Sequence, residues 1–255
     1  MAAQAPGRLY LVPAPLDFGC AETVPLGQVM PAGTIEAAAR LTHWICENAK
    51  SARSFLKRIA ELQPLALPLR EQAIVELPRH VHKKGDHDGD FDARSLLAPA
   101  LQGHDVGLVS EAGMPAIADP GSSVVRAAHD LGVTVVPLVG PASLLLTLAA
   151  SGLNGQNFAF VGYLPQEPAQ RAQRIRELES LALQRGQTQL FIETPYRNAA
   201  LWESLLKQLQ PATRLAIGSG LTMPAGATRS LRVADWRQQA VPVRNDTPAV
   251  FAIGR

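Results

Sequence analysis

Ser110-Glu-Ala-Gly-Met-Pro-Ala-Ile-Ala-Asp-Pro-Gly121 follows directly on the aliphatic run Asp105-Val-Gly-Leu-Val109 and leads into a helical pattern that starts at Ser122. Small residues let the backbone come close to a ligand, and Pro115 and Pro120 fix its path. Ser122 is positioned to cap the following helix. In open α/β sheets ligands bind beyond the carboxyl ends of the strands, which is where such a loop would lie. A second loop of the same kind, Val139-Gly140-Pro141-Ala142-Ser143, joins the run Val133-Thr-Val-Val136 to the helical pattern Ala142–Ser151. One Gly-Pro turn is a tight connection and nothing more. Two such loops on consecutive strand–helix units mark a ligand cleft.

Outward from these loops the same alternation continues. Leu9–Pro13, His43–Cys46 and Ala73–Leu77 are short apolar runs closed by turn residues, the mark of buried parallel strands. Between them lie helical patterns over Thr34–Leu41 (with Thr34 as cap), Ser51–Leu62, Asp92–Leu101 and Ser122–Leu131. In Ser51–Leu62 the residues Phe55, Leu56, Ile59 and Leu62 form one face, and Arg53, Lys57 and Arg58 turn to water. From Asn157 a second set begins, with strands at Phe158–Val161, Gln189–Ile192, Arg214–Ile217, Thr228–Val233 and Ala249–Ile253. Its helices are Ala169–Gln184 and Tyr196–Leu209. The turn-rich Gly152-Leu-Asn-Gly-Gln156 reads as a hinge. The expectation is an α/β protein of two domains, 1–153 with a mainly parallel sheet and 154–255 with a mixed one.

The 255 residues carry a net charge of only +2, so the total demands no polyanionic partner. Two cysteines imply a reducing compartment without a disulfide framework. There is no apolar run of about 18 residues to span a membrane and no signal-peptide layout at the N-terminus, so the chain reads as cytoplasmic. Neither a glycine-rich dinucleotide fingerprint nor a phosphate loop with a Gly-Lys-Ser/Thr ending is present. His80, His82 and His87 with Asp86, Asp88 and Asp90 supply metal-ligand residue types. They lack a thiolate pair or a helical His-Glu-x-x-His spacing, and the segment reads as a solvated loop, or as a lid over substrate, with no metal. Glu47-Asn-Ala-Lys50 and Glu193-Thr-Pro-Tyr-Arg197 end strands in the two domains, as ligand-facing groups or as plain helix starts, Thr194 capping and Pro195 at the first helical position.

At these residues the chain resembles a known family. Ser110–Gly121 is similar to the Ser-Asp-Ala-Gly-Thr-Pro-x-x-Ser-Asp-Pro-Gly loop of bacterial 16S ribosomal RNA cytidine-2′-O-methyltransferases, within the tetrapyrrole methylase superfamily. Val136–Ser143 resembles their Pro-x-Pro-Gly-Pro-Ser-Ala segment, and Leu9–Pro15 their opening strand. Phe160–Pro165 and Glu193–Arg197 resemble the start and the Glu-Ser-Pro-His-Arg motif of their second domain. The resemblance implies S-adenosylmethionine in a cleft between two α/β domains, and a homodimer. It implies cofactor contacts at Pro13, at Ser110, Gly113, Met114 and Ile117, at Ala142 and Ser143, and at Glu193, Leu221 and Thr247–Pro248. On the substrate side it points to Asn48, Lys50 and Arg53.

The chain departs from the family pattern at Asn48-Ala-Lys50, which stands for Asp-Thr-Arg, and at Glu111 and Met114. These departures leave the cofactor better supported than the methyl acceptor. A hydroxyl nucleophile gains from a general base, for which Glu47, Glu111 and Glu193 are the candidates. Three readings stay open: a methyltransferase of ribosomal RNA, acting on the small ribosomal subunit through a basic cluster of Lys50, Arg53, Lys57, Lys83 and Lys84; a methyltransferase of a tetrapyrrole or other small molecule; and a non-catalytic S-adenosylmethionine-binding protein.

Overall fold

The computed structural model describes residues 5–17, 20, 22–84, 86, 91–240 and 242–255, the side chains of 82–84 excepted. The chain divides into two compact units, Val24–Pro141 together with the N-terminal strand, and Ala142–Arg255.

The first unit is built on β1 (Arg8–Val12), β2 (His43–Cys46), β3 (Ala73–Glu76), β4 (Val106–Val109) and β5 (Thr134–Pro137), in the order β3-β2-β4-β1-β5. Every pairing is parallel. The intervening helices are α1 (Leu26–Val29), α2 (Ala32–Arg40), α3 (Ala49–Ala60), α4 (Arg79–Lys84), α5 (Ala98–Leu101) and α6 (Ser122–Asp130). Alternate strand residues feed two cores. Val12, Trp44, Cys46 and Val109 meet α2 and α3, while Leu9, Ile45, Val106 and Leu108 meet α6 and the turn before α5. Gly107 is needed where β4 passes under the Trp44 indole, because a Cβ there would lie 2.6 Å from two ring carbons.

The second unit contains α7 (Ser143–Ser151), β6 (Phe158–Tyr163), α8 (Pro168–Arg185), β7 (Thr188–Ile192), α9 (Asn198–Gln208), β8 (Arg214–Ser219), β9 (Ala227–Arg232), α10 (Val233–Trp236) and β10 (Ala249–Gly254). Its sheet runs β6-β7-β10-β8-β9. The sheet is mixed, because β6 and β7 are parallel while β10 runs antiparallel to both neighbours. One face packs on α8, α9 and α10, with Trp202 and Trp236 edge to face at 4.9 Å. The other face is covered by α7. The direction of α7 follows from two glycines. Gly218, near the end of β8, sits under Thr147, and Gly254, at the opposite end of the antiparallel β10, sits under Leu153 just past the helix. The N-terminus of α7 therefore points past Ser219, toward the carboxyl end of β8.

The expected strands and helices are present, and several local readings are corrected. Thr34 is no cap: α2 starts at Ala32 after Pro31, and the Thr34 hydroxyl donates to the Val139 carbonyl at 2.7 Å. Asp92–Leu101 is a 3-10 turn, Arg94–Leu97, followed by the four-residue α5. Arg58 does not turn to water but makes a paired contact with the buried Asp17 carboxylate at 2.9 and 3.0 Å. Val233 opens α10 instead of closing β9. The segment expected to be a solvated loop begins as α4 and continues to a buried Asp86, while His87, Asp88 and Asp90 lie outside the described residues. For Thr34, Arg58 and Asp86 the deciding partner is far away in sequence.

Gly107→Ala should lower unfolding stability by about 1–3 kcal/mol, the usual cost of overpacking a dense core. Urea titration followed by Trp fluorescence checks it, and an unchanged midpoint would contradict the close Trp44 contact.

Candidate active site

Parallel pairing brings all five strand ends of the first unit to one edge. Pro13 and Ala14 leave β1 there, Glu47 leaves β2, Ser110 leaves β4 and Leu138 leaves β5. Ala14 and Gly113 exchange two backbone hydrogen bonds of 2.9 Å, which pin the Ser110–Gly121 loop to the β1 end. Gly140 packs against Pro13, where a Cβ would come within 2.4 Å of the proline ring. The loop itself turns through left-handed conformations at Gly113, Ala116, Ala118 and Gly121. Ala116 and Ala118, at φ 65° and 66°, hold a conformation that is unfavourable for residues with a Cβ. Met114 is half-buried and Ile117 is exposed.

The loop closes onto Asp86. This buried carboxylate accepts from the backbone N–H of Gly121 at 3.0 Å and of Ser123 at 2.8 Å, and from the hydroxyls of Ser122 and Ser123. Burial opposes its charge, yet the bonds from Ser123, Ser122 and Gly121 prevail and keep its pKa below the ordinary value. Asp86 thus does the capping expected of Ser122, which is instead the first residue of α6.

Three carboxylates gather at the β2 and β4 ends. The Glu111 N–H donates to Glu47 at 3.1 Å, and Ser51 on α3 donates to the Glu111 carboxylate at 3.3 Å. Asp119 faces both. Burial first, then the charges of Glu47 and Glu111, push its pKa up to about 7, against a smaller opposite effect from the neighbouring Ser110 hydroxyl. Asp119 was not singled out as a base from the sequence, although it is the second acid of the quoted loop. Its proximity to Glu47 depends on a pairing between β2 and β4 that spacing does not reveal. Asn48 caps α3 through bonds to the N–H groups of Lys50 and Ser51. Lys50, Arg53 and Lys57 are exposed on that helix. The side chains of Lys83 and Lys84 lie outside the described residues. The Cys46 thiol, with its pKa pushed to about 12 by burial and then by Glu76, is no nucleophile.

In the second unit the antiparallel β10 brings Glu193, Leu221 and Thr247–Pro248 to one edge. Val250 pairs with Ile192, Ala249 pairs with Ser219, and the Gly220 N–H donates to the Pro248 carbonyl at 3.1 Å. Ala142 and Ser143 begin α7, which points to the same edge, and no side chain caps that helix end. Glu193 is buried, and one of its oxygens takes the Arg197 guanidinium at 2.7 and 3.0 Å and the Thr194 N–H at 2.7 Å. Its Oε2 is buried without a hydrogen-bond partner among the described residues. Pro195 opens a short 3-10 turn as expected, whereas the Thr194 hydroxyl bonds Glu193 and Arg197 and caps nothing.

The sequence profile of the Tetrapyrrole (Corrin/Porphyrin) Methylases matches residues 33–235. The chain belongs to this family. A protein of Mesorhizobium japonicum named ribosomal RNA small subunit methyltransferase I is 32% identical over 228 residues, 88% of this chain and 68% of that one. Its namesake in Xylella fastidiosa is 31% identical over 76% of this chain and 61% of its own length. The Bacillus subtilis namesake is also 31% identical, over 75% of this chain and 56% of its own. The chain thus spans about half to two thirds of these curated relatives. Among solved structures, the methyltransferase CobJ superposes with a TM-score of 0.58 over 98% of this chain and 94% of that one, at 18% identity. Uroporphyrin-III-C-methyltransferase from Thermus thermophilus gives 0.52 over 97% of this chain and 92% of its own, also at 18%. These two likenesses establish the shared fold, α/β with a parallel and a mixed sheet. As a tetrapyrrole methylase the chain is a member of a methyltransferase family, and no helix among its described residues is long and apolar enough to cross a membrane.

Asp119→Asn should stabilise the protein increasingly as pH rises. A carboxyl whose folded pKa lies above its unfolded value loses stability between the two, from about 4 to about 7. The gain in melting temperature should therefore grow from pH 5 to pH 7 and then level off. A gain independent of pH would contradict the raised pKa.

Proposed function

We propose that the protein is an S-adenosylmethionine-dependent methyltransferase of small-subunit ribosomal RNA, acting at a ribose 2′-hydroxyl. The observation that carries this reading is the match to the Mesorhizobium ribosomal RNA methyltransferase over 88% of the chain. The residues present fit the cofactor. The uncapped N-terminus of α7 offers backbone N–H groups to a carboxylate or hydroxyl. The unpartnered Glu193 Oε2 offers an acceptor to an amine, and S-adenosylmethionine carries all these groups. Pro13, Ser110, Gly113, Met114 and Ile117 would hold it in the first unit, and Ala142, Ser143, Glu193, Leu221 and Thr247–Pro248 in the second. When bound, it supplies a methyl group on a sulfonium centre for in-line transfer to an oxygen.

The protein's part is to position the hydroxyl, exclude water and receive its proton. Asp119 fits the last task better than Glu47 or Glu111, because its pKa near 7 makes it a base that is half ionised at neutral pH. The other two carboxylates tune it. Asn48, Lys50 and Arg53, at the start of α3, would meet the RNA. A ribosomal RNA substrate would be met in the cytoplasm, and that is the location we propose.

We also infer a homodimer. The outward side of α7 is formed by Leu145, Leu146, Ala149 and Ala150, all exposed, and a helix apolar on every side is normally covered. Leu145→Glu should convert a dimer to a monomer in sedimentation velocity, and a wild-type monomer at micromolar concentration would refute the inference.

Labelled S-adenosylmethionine incubated with small ribosomal subunits from a strain lacking this gene should label the RNA. The rate should rise through a pKa near 7 and fall by roughly 10²- to 10⁴-fold in Asp119→Asn, with the pH limb abolished. Label that stays out of RNA would sink the substrate, and no saturable heat with the cofactor at millimolar concentration would sink the enzyme reading. An unchanged rate in Asp119→Asn would remove that residue from the chemistry.

A further inference from the structure

The near-neutral total charge conceals an uneven distribution. Residues 1–141 hold 12 Lys and Arg against 15 Asp and Glu, a net −3, whereas residues 142–255 hold 12 against 7, a net +5. Part of the excess lies where β8 begins and β9 ends in the second unit. Arg214, the first residue of β8, is the direct cross-strand partner of Arg232, the last residue of the edge strand β9. Like charges directly opposite on a sheet destabilise it, and most folds place a carboxylate between them. Here Arg214 donates only to the Ser230 carbonyl at 3.1 Å, and Arg232 has no hydrogen-bond or ion-pair partner among the described residues. Arg232 is exposed and Arg214 half-buried.

Two more guanidinium groups lie on the opposite face of the same sheet, the one packed on α9 and α10. Arg229 lies over the Trp236 ring at 4.7 Å, and Arg237 donates to the Leu206 and Leu209 carbonyls at the end of α9. Both are held in place by these contacts with their charge uncancelled. The segment Arg229–Arg237 contains a single acid, Asp235. Arg214 and Arg232, in enforced register with no carboxylate paired to either, fit successive phosphates of an extended polyanion better than a single small anion. Arginine also suits the planar oxygen pairs of a phosphodiester.

We propose that this corner, centred on Arg214 and Arg232, binds the phosphate backbone of the RNA substrate. It would add to the affinity given by α3 without reading sequence. The proposal rests on the ribosomal RNA reading above. It also assigns the larger share of electrostatic attraction to the second unit, whereas the sequence pointed to lysines and arginines of the first.

The test uses the full chain and a fluorescent transcript of small-subunit ribosomal RNA, with anisotropy measured from 50 to 300 mM KCl. Arg214→Gln/Arg232→Gln should weaken binding about 5- to 20-fold at 100 mM and reduce the slope of log Kd against log salt by roughly 1.4–1.8, the loss of two phosphate contacts. Arg214→Lys/Arg232→Lys should recover most of the slope, because the point charges are restored. Heats of S-adenosylmethionine binding should stay at wild-type values in both, and the melting temperature should not fall in either, rising in the glutamine variant as the cross-strand repulsion is removed. Arg40→Gln/Arg70→Gln, an equal charge change on the first unit, should leave the slope within 0.3 of wild type. The proposal is overturned if the Arg214/Arg232 double variant keeps the wild-type slope, or if the control loses as much. Wild-type protein that methylates no ribosomal RNA would overturn the substrate reading instead, and the methyl-transfer assay separates that failure from the loss of this surface.

Discussion

The two backbone hydrogen bonds between Ala14 and Gly113 tie the ends of β1 and β4 together beyond the sheet, and the arrangement of the first unit's site depends on them. Adjacent parallel strands bring their carboxyl ends together but leave the loops there free to diverge. The bridge holds the Ser110–Gly121 loop over the β1 end, and only with that fixed do Glu47, Glu111 and Asp119 share one small region. The positive φ values at Gly113, Ala116, Ala118 and Gly121 belong to the same constraint. A loop pinned at Gly113 by the bridge, and at Gly121 by Asp86, must fold back within eight residues.

Asp86 and Asp119 show what that constraint does to chemistry. Both are aspartates partly or fully removed from water, and both pay the same kind of desolvation. Asp86 receives four hydrogen bonds from Gly121, Ser122 and Ser123, so its charge is stabilised and it serves as a cap. Asp119 faces two other carboxylates and one hydroxyl, so its charge is penalised and a proton is held near neutrality. The first arrangement strengthens the fold. The second weakens it progressively from about pH 4 to about pH 7, a cost that is reasonable where the proton is useful.

The strands were legible because residues buried on both faces leave nearly unbroken apolar runs, as in Val106–Val109 and Ala249–Ile253. The two loops were legible because glycine and proline have few uses other than turns and close approaches. What the sequence hid is what depends on a distant partner. Asp17 lies 41 residues from Arg58, and Asp86 lies 35 from Gly121. The polar, glycine-punctuated segment around Asp86 looks solvated unless its acceptor role at α6 is known. In the second unit, Leu221 and Thr247 came from family resemblance alone, and Glu193 from its place at a strand end together with that resemblance. The physical reason they meet is the insertion of β10, antiparallel, between β7 and β8.

That insertion has a second consequence. An antiparallel β8–β10–β7 core places the amino-terminal end of β10 beside the carboxyl-terminal end of β8, so the sheet has two chemically distinct edges. One edge gathers Glu193, Gly220, Pro248 and the α7 N-terminus, with a helix end that no side chain caps and a carboxylate oxygen without a partner among the described residues. The other gathers Arg214 at the start of β8 and Arg232 at the end of β9. Small-ligand and polyanion chemistry are separated by the length of a six-residue strand, about 20 Å. With that spacing, neutralising the arginine pair leaves the electrostatics around Glu193 nearly unchanged, since the distance exceeds twice the screening length at physiological salt. If the two edges bind as proposed, RNA affinity and cofactor affinity would therefore vary independently on one small sheet.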